Sequence, residues 1–185
     1  MIKLVRVKMN APVMTERLVL EPIAAAHAAL LFAPMQDERI YRWLSIVPPR
    51  TVESLRTRWA ELASRVPFNG GDAFLNWAIR RTSDGKYVGK FDAVVNLTNV
   101  ATNVGYLLFP EFWGQGYGTE ATRGIVAHLT QLSVTEFRAL VTSGNDASVR
   151  VLVKAGFVRT RTIPDNDTIR GVKYDDIEYV LRSSE

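Results

Sequence analysis

The sequence predicts an α/β fold: one domain with a mixed, mostly antiparallel, twisted sheet of about seven strands flanked by about four helices. Three observations predict it. The chain has 185 residues, 47% of them apolar, enough for one sizeable core, and no Pro/Gly/Ser-rich linker or repeat divides it. Its first half contains alternating stretches on either side of turn residues. Its second half interleaves helical-period apolar stripes with short β-prone runs.

Taken in order, "TERLVLEPI" (15–23) alternates as a strand and stops at Pro22. "AAAHAALLFAPM" (24–35) reads as a helix with Leu30, Leu31 and Met35 on its apolar face. A second helix is expected over 51–65, where Leu55, Trp59 and Leu62 recur at helical spacing. Between them, "YRWLSIVPPR" is apolar and broken by proline, which suits a connection or a pocket wall. Strands are expected over 73–81 and 87–97, joined at Asp84-Gly85 by a primed hairpin turn. A third strand (104–110) ends at Pro110. From Thr119, Ala121, Ile125, Leu129 and Leu132 form one helical stripe, followed by a buried strand over 136–143. Val149, Leu152 and Val153 mark a further helix (147–157), with Gly156 as its C-terminal cap. Two strands, near 158–164 and 176–182, close the order β α α β β β α β α β β.

Composition excludes several classes of function. There are no cysteines, hence no disulfide, thiolate metal site or cysteine acyl-enzyme, and a reducing, cytoplasmic setting is expected. His27 and His128 are far apart and form no metal-binding spacing. The formal charge of +4 comes from scattered residues, so no nucleic-acid-binding arm is expected. No apolar run approaches the about 18 residues that cross a bilayer, and the first 13 residues lack the apolar core of a signal peptide.

The most informative stretch is "EFWGQGYGTEA" (111–121), with Gly114, Gly116 and Gly118 in the turn from a strand into a helix. Glycines there let an anion approach free N–H groups at the positive end of the helix dipole. A phosphate or pyrophosphate is the ligand that such a loop suits, although tight packing alone also calls for glycines. A Walker A loop would need a Lys that is absent, and a dinucleotide fingerprint would need Gly where Thr119 stands.

"YLLFPEFWGQGYGTEA", followed by "NDASVRVLVKAGF", resembles the GNAT superfamily of acetyl-CoA-dependent N-acetyltransferases, and within it the Rim-type branch of ribosomal-protein N-terminal acetyltransferases. The element order is similar over nearly the whole chain. In the family loop Q/R-x-x-G-x-G/A, Trp113 takes the Q/R place, a departure from the general pattern, while Gly116 and Gly118 take the small positions. The resemblance implies a single GNAT-like domain using acetyl-CoA as cosubstrate. It implies that N–H groups of Gln115, Gly116, Tyr117, Gly118 and Thr119 hold the pyrophosphate. It also implies that strand 104–110 splays from strand 136–143, so that backbone around Leu107 and Leu108 pairs with pantetheine and polarises the acetyl carbonyl.

Asn145 precedes and Ser148 opens the helix expected over 147–157. Asn145 suits an N-cap, a CoA contact, or both. Many superfamily members carry a tyrosine on this helix to protonate the departing thiolate, but Leu152 stands at that place here. Ser148 is the substitute acid that the branch suggests, and a local helix hydrogen bond is its alternative role. Glu111 and Asp92 are the candidate bases. With no cysteine, direct attack in a ternary complex is expected. An α-amine, titrating near about 8, is more often neutral at physiological pH than a lysine amine near about 10.4, which favours a protein N-terminus or a small low-pKa amine as acceptor. A homodimer is expected by analogy alone. A CoA-binding sensor without turnover is the rival reading.

Overall fold

The computed structural model describes residues 8–64 and 71–183. The first seven residues, and Arg65 at the end of the expected second helix, lie outside them. The elements are β1 (Val13–Met14), β2 (Leu18–Pro22), α1 (His27–Leu31), α2 (Val52–Ser64), β3 (Ala73–Arg81), β4 (Tyr87–Val95) and β5 (Val100–Leu108), then α3 (Tyr117–Thr130), β6 (Glu136–Thr142), α4 (Asp146–Lys154), β7 (Val158–Ile169) and β8 (Val172–Arg182). Short 3-10 turns cover Pro34–Gln36, Glu38–Trp43 and Pro110–Phe112.

All eight strands form one sheet in the order β1-β2-β3-β4-β5-β6-β8-β7. Among the described residues only β5 and β6 run parallel. The expected mixed, mostly antiparallel sheet is present, with one strand more than predicted. The extra strand is β1, which precedes the strand expected over 15–23, and within that stretch only Leu18–Pro22 is strand. Thr15 folds back, its hydroxyl accepting the Leu18 N–H at 3.1 Å, and so separates β1 from β2.

Turn chemistry accounts for the other differences. Asp84-Gly85 does close a hairpin, but only Gly85 has positive φ (+72°). The loop is wider than a primed turn, with the Gly85 N–H on the Arg81 carbonyl and Arg81 itself paired to Lys86. The primed turn lies instead at Arg170-Gly171, where both residues have positive φ and Ile169 pairs with Val172. That turn extends the last hairpin well beyond the predicted strands. β5 starts at Val100 because Asn96 and Asn99 make the preceding turn, the Asn96 side chain accepting the Val100 N–H at 2.9 Å.

The core lies between the sheet and its helices. Trp77, Phe91 and Phe137 from the sheet, with Ile125 and Leu129 from α3, are fully buried, and each removes about 1.5–3 kcal/mol worth of apolar surface from water. In the first helix Ala28, Leu31 and Met35 form the buried stripe, and Leu30 is 57% exposed. Pro34 ends the helix early because it brings no N–H to the ladder. On α4, Leu152 is buried but Val153 is 55% exposed, so the inward face turns through Val149 and Leu152. Gly156 does follow the helix with φ +99°. No helix among the described residues is long and apolar enough to cross a membrane.

Candidate active site

The site grows from the end of β5. Gly114 and Gly116 have φ of +75° and +84°, so both need the freedom of glycine. Gly118 is different: a Cβ there would stand 3.2 Å from Val151 and 3.4 Å from Leu108, so its small size lets α3 approach α4 and β5. Gly116 caps α3 with its carbonyl, which accepts the Glu120 N–H, and no side chain caps the helix. The N–H groups of Tyr117, Gly118 and Thr119 therefore have no helical partner.

The loop is braced from behind. Arg17 donates to the Gln115 carbonyl at 3.1 Å, pairs with Glu120 at 2.7 Å and lies over the Tyr117 ring. Arg81 reaches the Tyr117 hydroxyl at 3.3 Å. The Trp113 indole N–H donates to the Leu108 carbonyl at 2.8 Å, which ties the loop to its strand.

β5 and β6 pair only at Val100–Glu136 and Ala101–Phe137, so they diverge towards Leu108 and Thr142. Phe109 donates its N–H to Val88 on β4. By antiparallel alternation Leu107 also directs its backbone groups at β4, and Tyr106 and Leu108 present theirs to the gap. Of the two residues whose backbone was expected there, Leu108 faces the gap; Leu107 contributes its side chain instead.

Two cavities of about 670 Å³ each meet across this gap. The first is bounded by the glycine loop, β5 and α4; Arg39, Arg42, Arg150 and Lys154 line it, with no acidic side chain among the described residues. It suits a polyanion. The second lies under the Pro-broken connection and holds Asp92, Asp167 and Asp176 with Trp43, Trp59 and Phe74. Trp43, Leu44, Tyr106 and Leu107 belong to both.

The residues expected from the sequence divide accordingly. Leu107, Leu108, Gly116, Tyr117, Gly118, Thr119, Asn145 and Ser148 all line the basic cavity. Gln115 does not; its side chain donates to the Glu111 carbonyl. Glu111 is exposed and lines neither cavity, because the 3-10 turn at Pro110–Phe112 points it outward. Asp92 lies in the acidic cavity, 2.6 Å from Lys90. Asn145 accepts the Ser148 N–H at 3.2 Å, the capping bond anticipated for it. His27 accepts the Ala24 N–H on Nδ1 and turns Nε2 towards Glu21, a boundary role away from both cavities.

Sequence reasoning missed Tyr106. Its hydroxyl lies 3.0 Å from Ser148 Oγ, and burial, partly offset by that hydrogen bond, pushes its pKa up to about 12. It therefore stays a neutral phenol through the physiological range. A tyrosine one residue before Leu107, in a chain lacking the helix tyrosine, was the available signal.

Comparison with known proteins agrees with this geometry. The chain is 25% identical to the N-acetyltransferase YoaA of Bacillus subtilis (strain 168), itself uncharacterized, over 90% of this chain and 94% of that one. It superposes on the ribosomal-protein-S5-alanine acetyltransferase of Vibrio fischeri with a TM-score of 0.83 at 17% identity, covering 95% and 98% of the two chains. Mycobacterium smegmatis RimJ, solved with a CoA-disulfide, gives 0.80 at 19% identity over 94% and 86%. Residues 17–158 match the family model described as Acetyltransferase (GNAT) domain, and with that match the chain belongs to the GNAT family of acetyltransferases.

Proposed function

We propose that this protein transfers an acetyl group from acetyl-CoA to a primary amine by direct attack in a ternary complex. The observation that carries the reading is the meeting of a basic and an acidic cavity at Tyr106 and Leu107. An anionic cosubstrate and an amine can then approach one point from opposite sides.

The free N–H groups at the start of α3 would receive the pyrophosphate, and the Leu108 backbone in the gap would align the pantetheine arm. The neutral amine nitrogen attacks the thioester carbonyl and releases one proton to solvent, the C–S bond breaks, and the sulfur takes a proton. In this reading Ser148 supplies that proton, and its hydrogen bond with Tyr106 supports the assignment. The absence of cysteine leaves no thiol to carry the acetyl group. Asp92, not Glu111, is the sequence-predicted carboxylate on the acceptor side, and its pairing with Lys90 suits positioning better than proton abstraction. Neighbours named as a ribosomal-protein-S5-alanine acetyltransferase and a ribosomal L7/L12 alpha-N-protein acetyltransferase support a protein α-amine as acceptor, with a small amine as the alternative.

Calorimetric titration with acetyl-CoA and with ATP tests the cosubstrate, and release of CoA thiol with a panel of amines tests transfer. Saturable binding of acetyl-CoA alone, followed by amine-dependent thiol release, is expected. Binding without turnover on any amine would favour the CoA-sensor reading, and no binding would remove the assignment.

A further inference from the structure

The acidic cavity contains a charge that the protein does not neutralise. Asp176, on β8, is only 6% exposed and lines that cavity. Its Oδ2 accepts a hydrogen bond from Asn166 at 2.8 Å, and no Lys, Arg or His among the described residues pairs with it. No buried side-chain oxygen among them lacks a partner, so Oδ1, which accepts no hydrogen bond, faces the cavity. A carboxylate withdrawn from water without a cation is costly, and a bound cation relieves that cost.

The other charged carboxylates and the arginine of the cavity are more open to water: Asp92 and Asp167 are half-buried and Arg58 is exposed. Asp92 is closed by Lys90 at 2.6 Å, and Asp167 accepts the Thr168 N–H at 2.7 Å. Arg58 lies on the exposed face of α2 at the rim. Asp176 is also close to the transfer point along the chain fold. It pairs with Thr142 across β6, and Ser143 donates its N–H to the neighbouring Asp175 carbonyl at 2.8 Å. From that tie the chain turns directly into the helix that carries Ser148. Trp43 closes the same end, edge-on to Tyr174 and against Gly144, with the Arg42 guanidinium over its ring.

We infer that Asp176 is the counter-charge for the acceptor, and that the acceptor is a cationic amine without a carboxylate of its own. The inference rests on the transferase reading above. The Asp176 carboxylate attracts the ammonium form into the cavity, where the amine gives up a proton to solvent before its nitrogen attacks the thioester; the same uncompensated charge repels zwitterionic acceptors such as free amino acids.

The test compares butylamine, putrescine and a peptide amide with a free N-terminus against γ-aminobutyrate and free amino acids, using thiol release at saturating acetyl-CoA. Butylamine and γ-aminobutyrate carry amines of similar basicity and differ in the carboxylate. The expected result is a kcat/KM for the cationic acceptors higher by about 10-fold or more. In Asp176→Asn that preference collapses through KM, with acetyl-CoA affinity by calorimetry unchanged. Equal or reversed preference in the wild-type protein overturns the inference, as does acetylation of none of the cationic amines by protein that binds acetyl-CoA. An unchanged preference in a folded Asp176→Asn protein also overturns it; if that variant does not fold, the wild-type comparison decides. Failure to bind acetyl-CoA at all would instead bring down the transferase reading on which it rests.

Discussion

The Tyr106 and Ser148 hydroxyls lie 3.0 Å apart, so one residue from β5 and one from α4 share a hydrogen bond where the two cavities join. In the proposed reaction the serine would face the thioester sulfur, and the phenol behind it would return a proton.

Ser148→Ala is expected to lower kcat by about 10- to 1000-fold while leaving acetyl-CoA affinity unchanged. Tyr106→Phe should lower it by a smaller factor, and its pH–rate profile between about pH 6 and 10 should run parallel to the wild-type one, since a phenol raised to about 12 does not titrate there. Steady-state kinetics across pH checks both. Wild-type turnover in Ser148→Ala would reduce the pair to a packing contact. Because the folded pKa of Tyr106 is raised, the stability that it contributes is present below about pH 10 and is lost as pH rises through about 12.

Gly116 and Gly118 should respond differently to substitution. Gly116→Ala forces a side chain into a φ of +84°, at a cost of about 1–2 kcal/mol, and disturbs the N–H groups of the loop. Lower thermal stability and weaker acetyl-CoA binding by calorimetry are both expected. Gly118→Val meets Val151 and Leu108, and overpacking of about 1–3 kcal/mol should move α3 away from α4. Unchanged acetyl-CoA affinity in Gly116→Ala would remove the cradle from the mechanism.

Glu120 links the loop to β1 and β2. Burial pulls its pKa up, but hydrogen bonds from Thr15 and Arg17 outweigh this and hold it below the ordinary carboxylate value of 4.5. A depressed pKa means that its contribution to stability is present above that value and is lost as pH falls through the folded one. Glu120→Gln should therefore unfold at lower temperature near pH 7 and lose less stability between about pH 5 and 3 than the wild-type protein. Parallel acid limbs in thermal melts would show that the ion pair does not stabilise the fold.

Much of this arrangement was legible because it is local. The stripe Ala121–Ile125–Leu129 defined α3, and Leu55 with Trp59 defined α2, since helical period and burial are properties of neighbouring residues. Trp43, in the Pro-broken segment that suited a pocket wall, lines both cavities. Turn details were less legible: Asp84-Gly85 and Arg170-Gly171 both close hairpins, but loop length and strand register, not the dipeptide, decided which became the primed turn.

By itself the sequence determined the αβ order, the loop with free N–H groups and the capped helix carrying Ser148, because each depends on residues within a few positions of one another. Only the tertiary structure decided that Tyr106 meets Ser148 from 42 residues away, that Glu111 points outward, and that Asp176 is buried opposite a basic cavity. The first and last follow from β8 inserting beside β6 and from β5 parting from β6 after Ala101, and the outward Glu111 from the 3-10 turn at Pro110–Phe112. Strand order and register place such side chains, and neither is encoded in the local pattern of the residues concerned.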